Sequence, residues 1–310
     1  MKILKSLQDY AGKSATAVTI GSFDGVHLGH RKVIGDLKKI AQKNHEKTVV
    51  ISFDPHPRLF FNPEADLKLL TTNEEKARLL ADLGVDYLIL QKFDRQFANQ
   101  SPENFVGQLV KALNMKDLLI GYDHHFGKDR QGDFNFIRSL EPKYLFKTHK
   151  IEPVIIDGIK VSSTKIREAL KSGDILLANK LLGYPYQLSG KVVSGNRIGR
   201  QLGFPTANIQ PDQSRKLLPK QGVYLVKSVI ENQPVYGMMN LGMRPTIDGH
   251  KLIMEIHFFD FNRDIYGQRI PIYFLDRLRS EQKFESLEAL KEQLQKDAQK
   301  SKEKIKKMQP

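Results

Sequence analysis

ATAVTIGSFDGVHLGH, Ala15 to His30, decides how the first half of the chain folds. ATAVTIG (Ala15–Gly21) is a short, β-branched, apolar run, the signature of a buried strand. Glycines then recur at positions 21, 25 and 29, where bare backbone can approach a ligand closely. A helix is expected from about Gly29, and a helix N-terminus favours phosphate through its free N–H groups and its dipole. His27 and His30 are three apart and share one face of the first turn. Two imidazoles placed there can donate hydrogen bonds to phosphate oxygens as charge builds on them. Two surface histidines in a Gly-rich turn is the plainer alternative, disfavoured by the strand–turn–helix setting. A zinc site fits less well: the spacing is not HExxH, and the 310-residue chain has no cysteine to complete one.

Working outward, strand-like and helix-like segments alternate. TVVISF (Thr48–Phe53), VDYLIL (Val85–Leu90) and DLLIG (Asp117–Gly121) read as strands. NEEKARLLADLG reads as a helix capped by Asn73 and stopped at Gly84; SPENFVGQLVKAL reads as one capped by Ser101 with Pro102 in its first position. This alternation predicts a parallel sheet with helices on its faces, which binds ligands beyond the carboxyl ends of its strands. GKS at 12–14 ends like a Walker A motif, but the glycine needed five positions earlier is Leu7.

Three further segments belong with the first. FDPHP holds His56 between two prolines just after the second strand. GYDHHFGKDRQGD (Gly121–Asp133) follows the DLLIG strand. VSSTKIREAL (Val161–Leu170) gathers Ser162, Ser163, Thr164, Lys165 and Arg167 at a helix start. Hydroxyls, free amides and cations at one helix start make an anion site, although SST before a helix is by itself only a cap.

Beyond about Gly183 the pattern changes to short alternating segments: SGKVVSG, GVYLVKSVI, QPVYGMMNLG, LIMEIHFFDF and RIPIYFLDRL. These predict an antiparallel β domain, a small barrel, closed by a helix with Leu287, Leu290 and Leu294 on one face. Domains are expected at 1–183 and 184–310. GKVVSGNRIGRQLGFPTANI (Gly190–Ile209) surrounds Arg197 and Arg200 with Gly195, Gly199 and Gly203, a phosphate cradle or a Gly-rich hairpin with a turn at Pro205. Thr206 and Asn208 offer neutral oxygens, which suit a Mg²⁺ that also binds ATP phosphates. Glu255 lies between Met254 and Ile256 in an apolar strand. Such a glutamate either faces solvent or does chemistry.

GSFDGVHLGH, FDPHP, GYDHHFG and VSSTKIR together resemble the adenylyltransferase motifs of bacterial bifunctional riboflavin kinase/FMN adenylyltransferase, or FAD synthetase. Gly190–Ile209, GVYLV, MNLGMRPTIDG, MEIHFFDF, DIYGQRI and FLDRLRSEQKF resemble its kinase part, so the resemblance spans almost the whole chain. The loop after Gly121 departs from the usual aromatic and basic residues with His124 and His125. The family implies a Rossmann-like nucleotidyltransferase domain followed by a six-stranded β-barrel kinase. It implies that His27 and His30 contact ATP phosphates, and that Gly21, Phe23, Asp24, Gly25, His56, Asp123, Ser163, Thr164 and Arg167 bind ATP and flavin. In the barrel it implies that the Gly195–Pro205 cradle binds nucleotide and flavin, that Thr206 and Asn208 serve Mg²⁺, and that Glu255 is the general base. Glu281 is a rival glutamate, expected at a rim. Riboflavin, FMN, FAD and ATP are the expected partners, in the cytosol.

Composition bounds the rest. The net charge of +14 is partly local, since Lys291–Lys307 holds seven lysines against three acids. Basic charge raises nucleic-acid binding as the competing function, but without specificity. No apolar run reaches the roughly 20 residues of a membrane helix and no signal peptide is evident, so a membrane partner is not expected. The oligomeric state is left open.

Overall fold

The computed structural model describes residues 1–121, 132–194, 199, 202–212, 215–246 and 249–308. Backbone contacts divide the chain into two compact units, Met1–Ser163 and Thr164–Pro310.

The first unit runs β1 (Lys2–Leu4), β2 (Thr16–Ile20), α1 (Leu28–Asn44), β3 (Lys47–Asp54), α2 (Pro57–Phe61), α3 (Asn73–Asp82), β4 (Tyr87–Lys92), α4 (Arg95–Ala98), α5 (Pro102–Leu113), β5 (Met115–Gly121), α6 (Phe134–Ser139), α7 (Glu141–Tyr144) and β6 (Lys147–Ile151). A small hairpin, β7 (Ile155–Ile156) and β8 (Ile159–Lys160), follows. The six-stranded sheet has the order β1-β4-β3-β2-β5-β6 with every pairing parallel. Residues on β2 are buried at every position, which is why TAVTI is a continuous rather than an alternating apolar run. The chain steps from β2 to β3 to β4 on one side, then crosses to β5 on the other. The reversal puts the topological switch point, the usual ligand position of such sheets, at the carboxyl end of β2, where Gly21 begins.

The helix stops follow capping chemistry with one correction. Thr72, not Asn73, caps α3: its hydroxyl accepts from the Glu75 amide at 3.1 Å, and the Glu75 carboxylate accepts from the Thr72 amide at 2.9 Å. This reciprocal T-x-x-E box satisfies two free amides, so Asn73 becomes the first helical residue. Ser101 and Pro102 open α5 as expected.

At the amino ends of the strands lies a separate polar group. Asp117 on β5 is buried, paired with His149 on β6, and accepts from the Asn44 side chain at 2.9 Å. Burial and the Asp117 carboxylate push the Glu46 carboxyl up to about 7.

The second unit contains α8 (Ser163–Ser172, which starts on the dividing residue), α9 (Ile175–Leu182), β9 (Gln187–Val193), β10 (Ala207–Pro211), β11 (Gly222–Ile230), β12 (Gln233–Thr246), β13 (Gly249–Phe258), β14 (Arg269–Arg279) and α10 (Leu287–Met308). Six antiparallel strands close a barrel in the order β10-β13-β12-β11-β14-β9. Tyr224, Met239 and Ile256 lie in one register row and are fully buried. The alternate positions face the other way, and α10 covers part of that face: Leu294, Ala298 and Ile305 pack against Val223, Leu225 and Met238. The buried Asp297 carboxylate of α10 pins it by pairing with Arg279 at 2.8 Å. Two contacts tie α8 and α9 to the rest of this unit: Asn179 donates to the Phe274 carbonyl at 2.8 Å, and the Lys220 amide donates to the Leu170 carbonyl at 2.9 Å. Gly183, where the sequence pattern breaks, is the left-handed residue that ends α9. Among the described residues no helix is long and apolar enough to cross a membrane.

Candidate active sites

The Gly21–His30 segment leaves β2 and is held from several sides. The Gly21 amide donates to the Ile51 carbonyl of β3 at 3.0 Å. The buried Asp24 carboxylate accepts from the Leu70 and Thr71 amides at 2.9 and 3.0 Å, and the Gly25 amide donates to the Thr71 hydroxyl at 3.0 Å. Asp24 thus organises the loop. Phe23, Gly25 and Val26 have φ of 47°, 87° and 35°. A buried, β-branched residue in that region is strained, and the surrounding bonds hold it there.

The helix begins at Leu28, one residue earlier than expected, because His27 is its cap. Its Nδ1 accepts from the His30 amide at 3.3 Å, which leaves the proton on Nε2 as a donor. The two imidazoles stack with centroids 3.7 Å apart, and Phe23 packs on His30 at 4.9 Å. Gly29 lets the backbone lie close to the His27 ring: a Cβ there would sit 3.2 Å from it, and the ring would have to give by a few tenths of an ångström. Burial, then His27 and Lys76, hold His30 well below the ordinary histidine range, so it is neutral at physiological pH. Its Nδ1 is shut off from solvent with no partner among the described residues.

Ser163 joins this loop, donating to the Asp24 carbonyl at 2.8 Å. Thr164 and Arg167 follow on α8. His56 caps α2 at the same carboxyl edge of the sheet, its Nδ1 accepting from the Arg58 amide at 3.2 Å. Asp123, with His124 and His125, lies outside the described residues. Sequence reading missed Lys76. It is buried, 5 % exposed, and donates to the Ser52 hydroxyl at 2.8 Å. A lysine on an amphipathic helix ordinarily faces solvent, so no local signal marks it.

In the second unit Glu255 does face outward from the barrel, but onto a covered surface. Strand register sets Asn208, Glu255, Asn240, Val223 and Arg279 in one row across five strands. A cavity of about 390 Å³ lies over this row, lined by Gly199, Phe204, Thr206, Glu255, Arg279 and leucines 287, 290 and 294 of α10. Glu281 also lines it, its carboxylate lying against the Cα of Gly242. A second cavity, about 450 Å³, shares Thr206 and runs past Pro205 to Phe258, Asp264 and Tyr266.

The Gly199–Pro205 turn is tight. The Phe204 amide donates to the Gly199 carbonyl at 2.8 Å, and a Cβ on Gly199 would strike the Phe204 carbonyl. Gly203 supplies φ of 83°. His257, on the same face as Glu255 and also missed, bonds the Pro205 carbonyl through Nδ1 at 2.9 Å and packs on Phe204. Gly195, Arg197 and Arg200 lie outside the described residues. Among the described residues no cluster of three or more His, Asp or Glu side chains is arranged to hold a metal. The donors present at Thr206 and Asn208, one hydroxyl and one amide, suit a hard cation held chiefly by phosphate oxygens.

Comparison with known proteins assigns a family to each half of the chain. The FAD synthetase family matches residues 10–165 and the riboflavin kinase family residues 182–305. The bifunctional riboflavin kinase/FMN adenylyltransferase of Escherichia coli (strain K12) is 37% identical over 96% of each chain. That of Haemophilus influenzae is 40% identical over 92% of this chain and 93% of its own. A crystal structure described as a macrolide-efflux protein from Streptococcus pneumoniae superposes with a TM-score of 0.89 at 34% identity, covering 97% of this chain and 98% of that one. The matches leave the nucleic-acid-binding alternative without support. With both families matched in order along one chain, this protein belongs to the bifunctional riboflavin kinase/FMN adenylyltransferase family.

Proposed function

We propose that the chain makes FAD from riboflavin in two ATP-consuming steps, the kinase step in residues 184–310 and the adenylyl transfer in residues 1–183. The observation that carries this reading is the pairing of each matched family with its own built site: the stacked His27–His30 cap in one, the Glu255 row in the other.

In the kinase step Glu255 accepts the proton of the riboflavin 5′-hydroxyl. The oxygen attacks the γ-phosphorus of ATP, and ADP leaves. Phe204, Val223, Met238 and the α10 leucines give the cavity over Glu255 an apolar wall suited to the flavin ring. The cavity on the other side of Thr206 then falls to ATP, so that transfer occurs across Thr206. Mg²⁺ bound with ATP would neutralise phosphate charge, held by Thr206 and Asn208. In the second step an oxygen of the FMN phosphate attacks the α-phosphorus of ATP and pyrophosphate leaves. The nucleophile is already ionised, so positioning and charge stabilisation are the main requirements. His27 donates from Nε2 to the phosphate oxygens.

Incubation with riboflavin, ATP and Mg²⁺, followed by chromatographic separation of flavins, should yield FMN and then FAD. FAD from supplied FMN but no FMN from riboflavin would remove the kinase assignment, and the converse would remove the adenylyltransferase assignment.

A further inference from the structure

Lys76 is a charged group that the two steps above leave unused, and its burial needs a reason. Taking an ammonium out of water is costly unless it is paired or serves a task. It sits on α3, whose preceding residues Leu70 and Thr71 wrap the Asp24 carboxylate. From there its Nζ donates to the Ser52 hydroxyl of β3 at 2.8 Å, and that hydroxyl donates to the Ser22 carbonyl at 3.0 Å. The chain of bonds runs ammonium, hydroxyl, carbonyl, and it ends inside the Gly21–His30 loop. Only one of the three ammonium hydrogens is used in it. The charged and titratable groups around Lys76 are Asp24 in the loop, Asp54 at the end of β3, and His30 on α1 stacked on His27. Glu75, its neighbour on α3, is spent on the Thr72 cap.

We infer that Lys76 is a positioning residue of the adenylyl-transfer site: a fixed internal cation, clamped on Ser52, that sets the Gly21–His30 loop and meets the polyphosphate bound there with positive charge. This rests on the adenylyltransferase reading of that loop. A preorganised charge in a water-poor site needs no reorganisation as pyrophosphate charge develops. The same cation disfavours a proton on His30. Burial brings the Lys76 ammonium down to about 8, with Asp24 and Asp54 pulling the other way. The charge is therefore present at neutral pH and lost just above it. The alternative is a strut that merely ties α3 to β3.

The test uses the full chain and measures kcat/KM for FAD formation from FMN across pH 6 to 10, since kcat/KM reports groups of the free enzyme. Wild type should lose activity as pH rises through about 8. Lys76→Met should lower FAD formation on the order of 10² at pH 7 and abolish the alkaline limb, with riboflavin phosphorylation unchanged. Lys76→Arg, which cannot deprotonate, should restore part of the rate and hold it beyond pH 9. Cooperative thermal unfolding checks that each variant folds. A wild-type profile flat from pH 7 to 9.5 overturns the inference without any variant. So does a folded Lys76→Met enzyme that keeps its FAD-forming rate, or one that keeps the alkaline limb. A wild-type chain that forms FMN but never FAD overturns the adenylyltransferase reading together with it.

Discussion

In the parallel-sheet unit the candidate site is built mainly on ten consecutive residues, Gly21–His30, braced by a few outside contacts. In the barrel, Asn208, Glu255, Asn240 and Arg279 come from four strands and are neighbours only because the ladders pair in one register. The first site is a local conformation stabilised by the fold, and the second is a product of the fold itself. They should therefore fail differently. A change inside the loop injures the first site and leaves the sheet standing. In the barrel, a one-residue slip would turn Glu255 to the inside and Met254 outward.

The largest expected effect is at Glu255. Glu255→Gln keeps its place in the row and removes the base, so riboflavin phosphorylation should fall by roughly 10²–10⁴. FAD formation from supplied FMN should continue. If Glu281→Gln cripples the kinase instead, the register row is the wrong frame for that site. Next come the histidines: His27→Ala or His30→Ala should slow FAD formation by about 10²–10³ while FMN accumulates. Normal FAD formation in both would end their assignment.

A paired glycine test sharpens the contrast. Gly29→Ala presses a methyl against the His27 ring, which must shift by a few tenths of an ångström, and Gly199→Ala drives one into the Phe204 carbonyl. Each should cost up to about 10²-fold in its own reaction through misplacement and little in the other. Cross-effects of equal size would show that the two sites are not separately built.

The smallest effect is in stability. Glu46 is raised in the folded state, so its contribution is complete below its ordinary value near 4.5 and is lost as pH rises through about 7. His30 has the opposite sign. Being lowered, it contributes fully above its ordinary value near 6.5, and that contribution is lost as pH falls below it. Glu46→Gln should raise Tm by a few degrees or less at pH 8 and not at pH 4.5, about 2–4 °C corresponding to 1 kcal/mol for large domains. His30→Gln should flatten the acid side instead. Thermal scans at three pH values separate the two.

What the sequence disclosed follows from the same contrast. The buried TAVTI strand, the glycine spacing and the capped helices are local, and each was legible. Thr72 displaced Asn73 as a cap because only Thr72 has a glutamate three residues on to return its hydrogen bond. Lys76 was invisible because its burial depends on β3, distant in sequence. His257 and Asn240 were missed because alternation says which residues share a face of one strand but not which residues sit opposite on the next. Glu255 looked like a choice between facing outward and being catalytic. The structure shows these to be compatible once α10 lies over that face.

The cap on α1 carries a consequence for protons. Histidine is the side chain best suited to shuttle them, since each ring nitrogen can hold or release one. Here Nδ1 of His27 is committed to the helix, so the ring is wired in one direction, with Nε2 fixed as a donor. A relay needs a nitrogen free to take up what the other gives away, and His27 has surrendered that freedom to start a helix. The reaction loses nothing by it. A phosphate monoester is already largely doubly ionised at neutral pH, and joining it to an adenylyl group requires no proton to be drawn off first. The loop has taken an acid–base residue and fixed the direction of its proton, useful for where its hydrogen points rather than for whether it leaves.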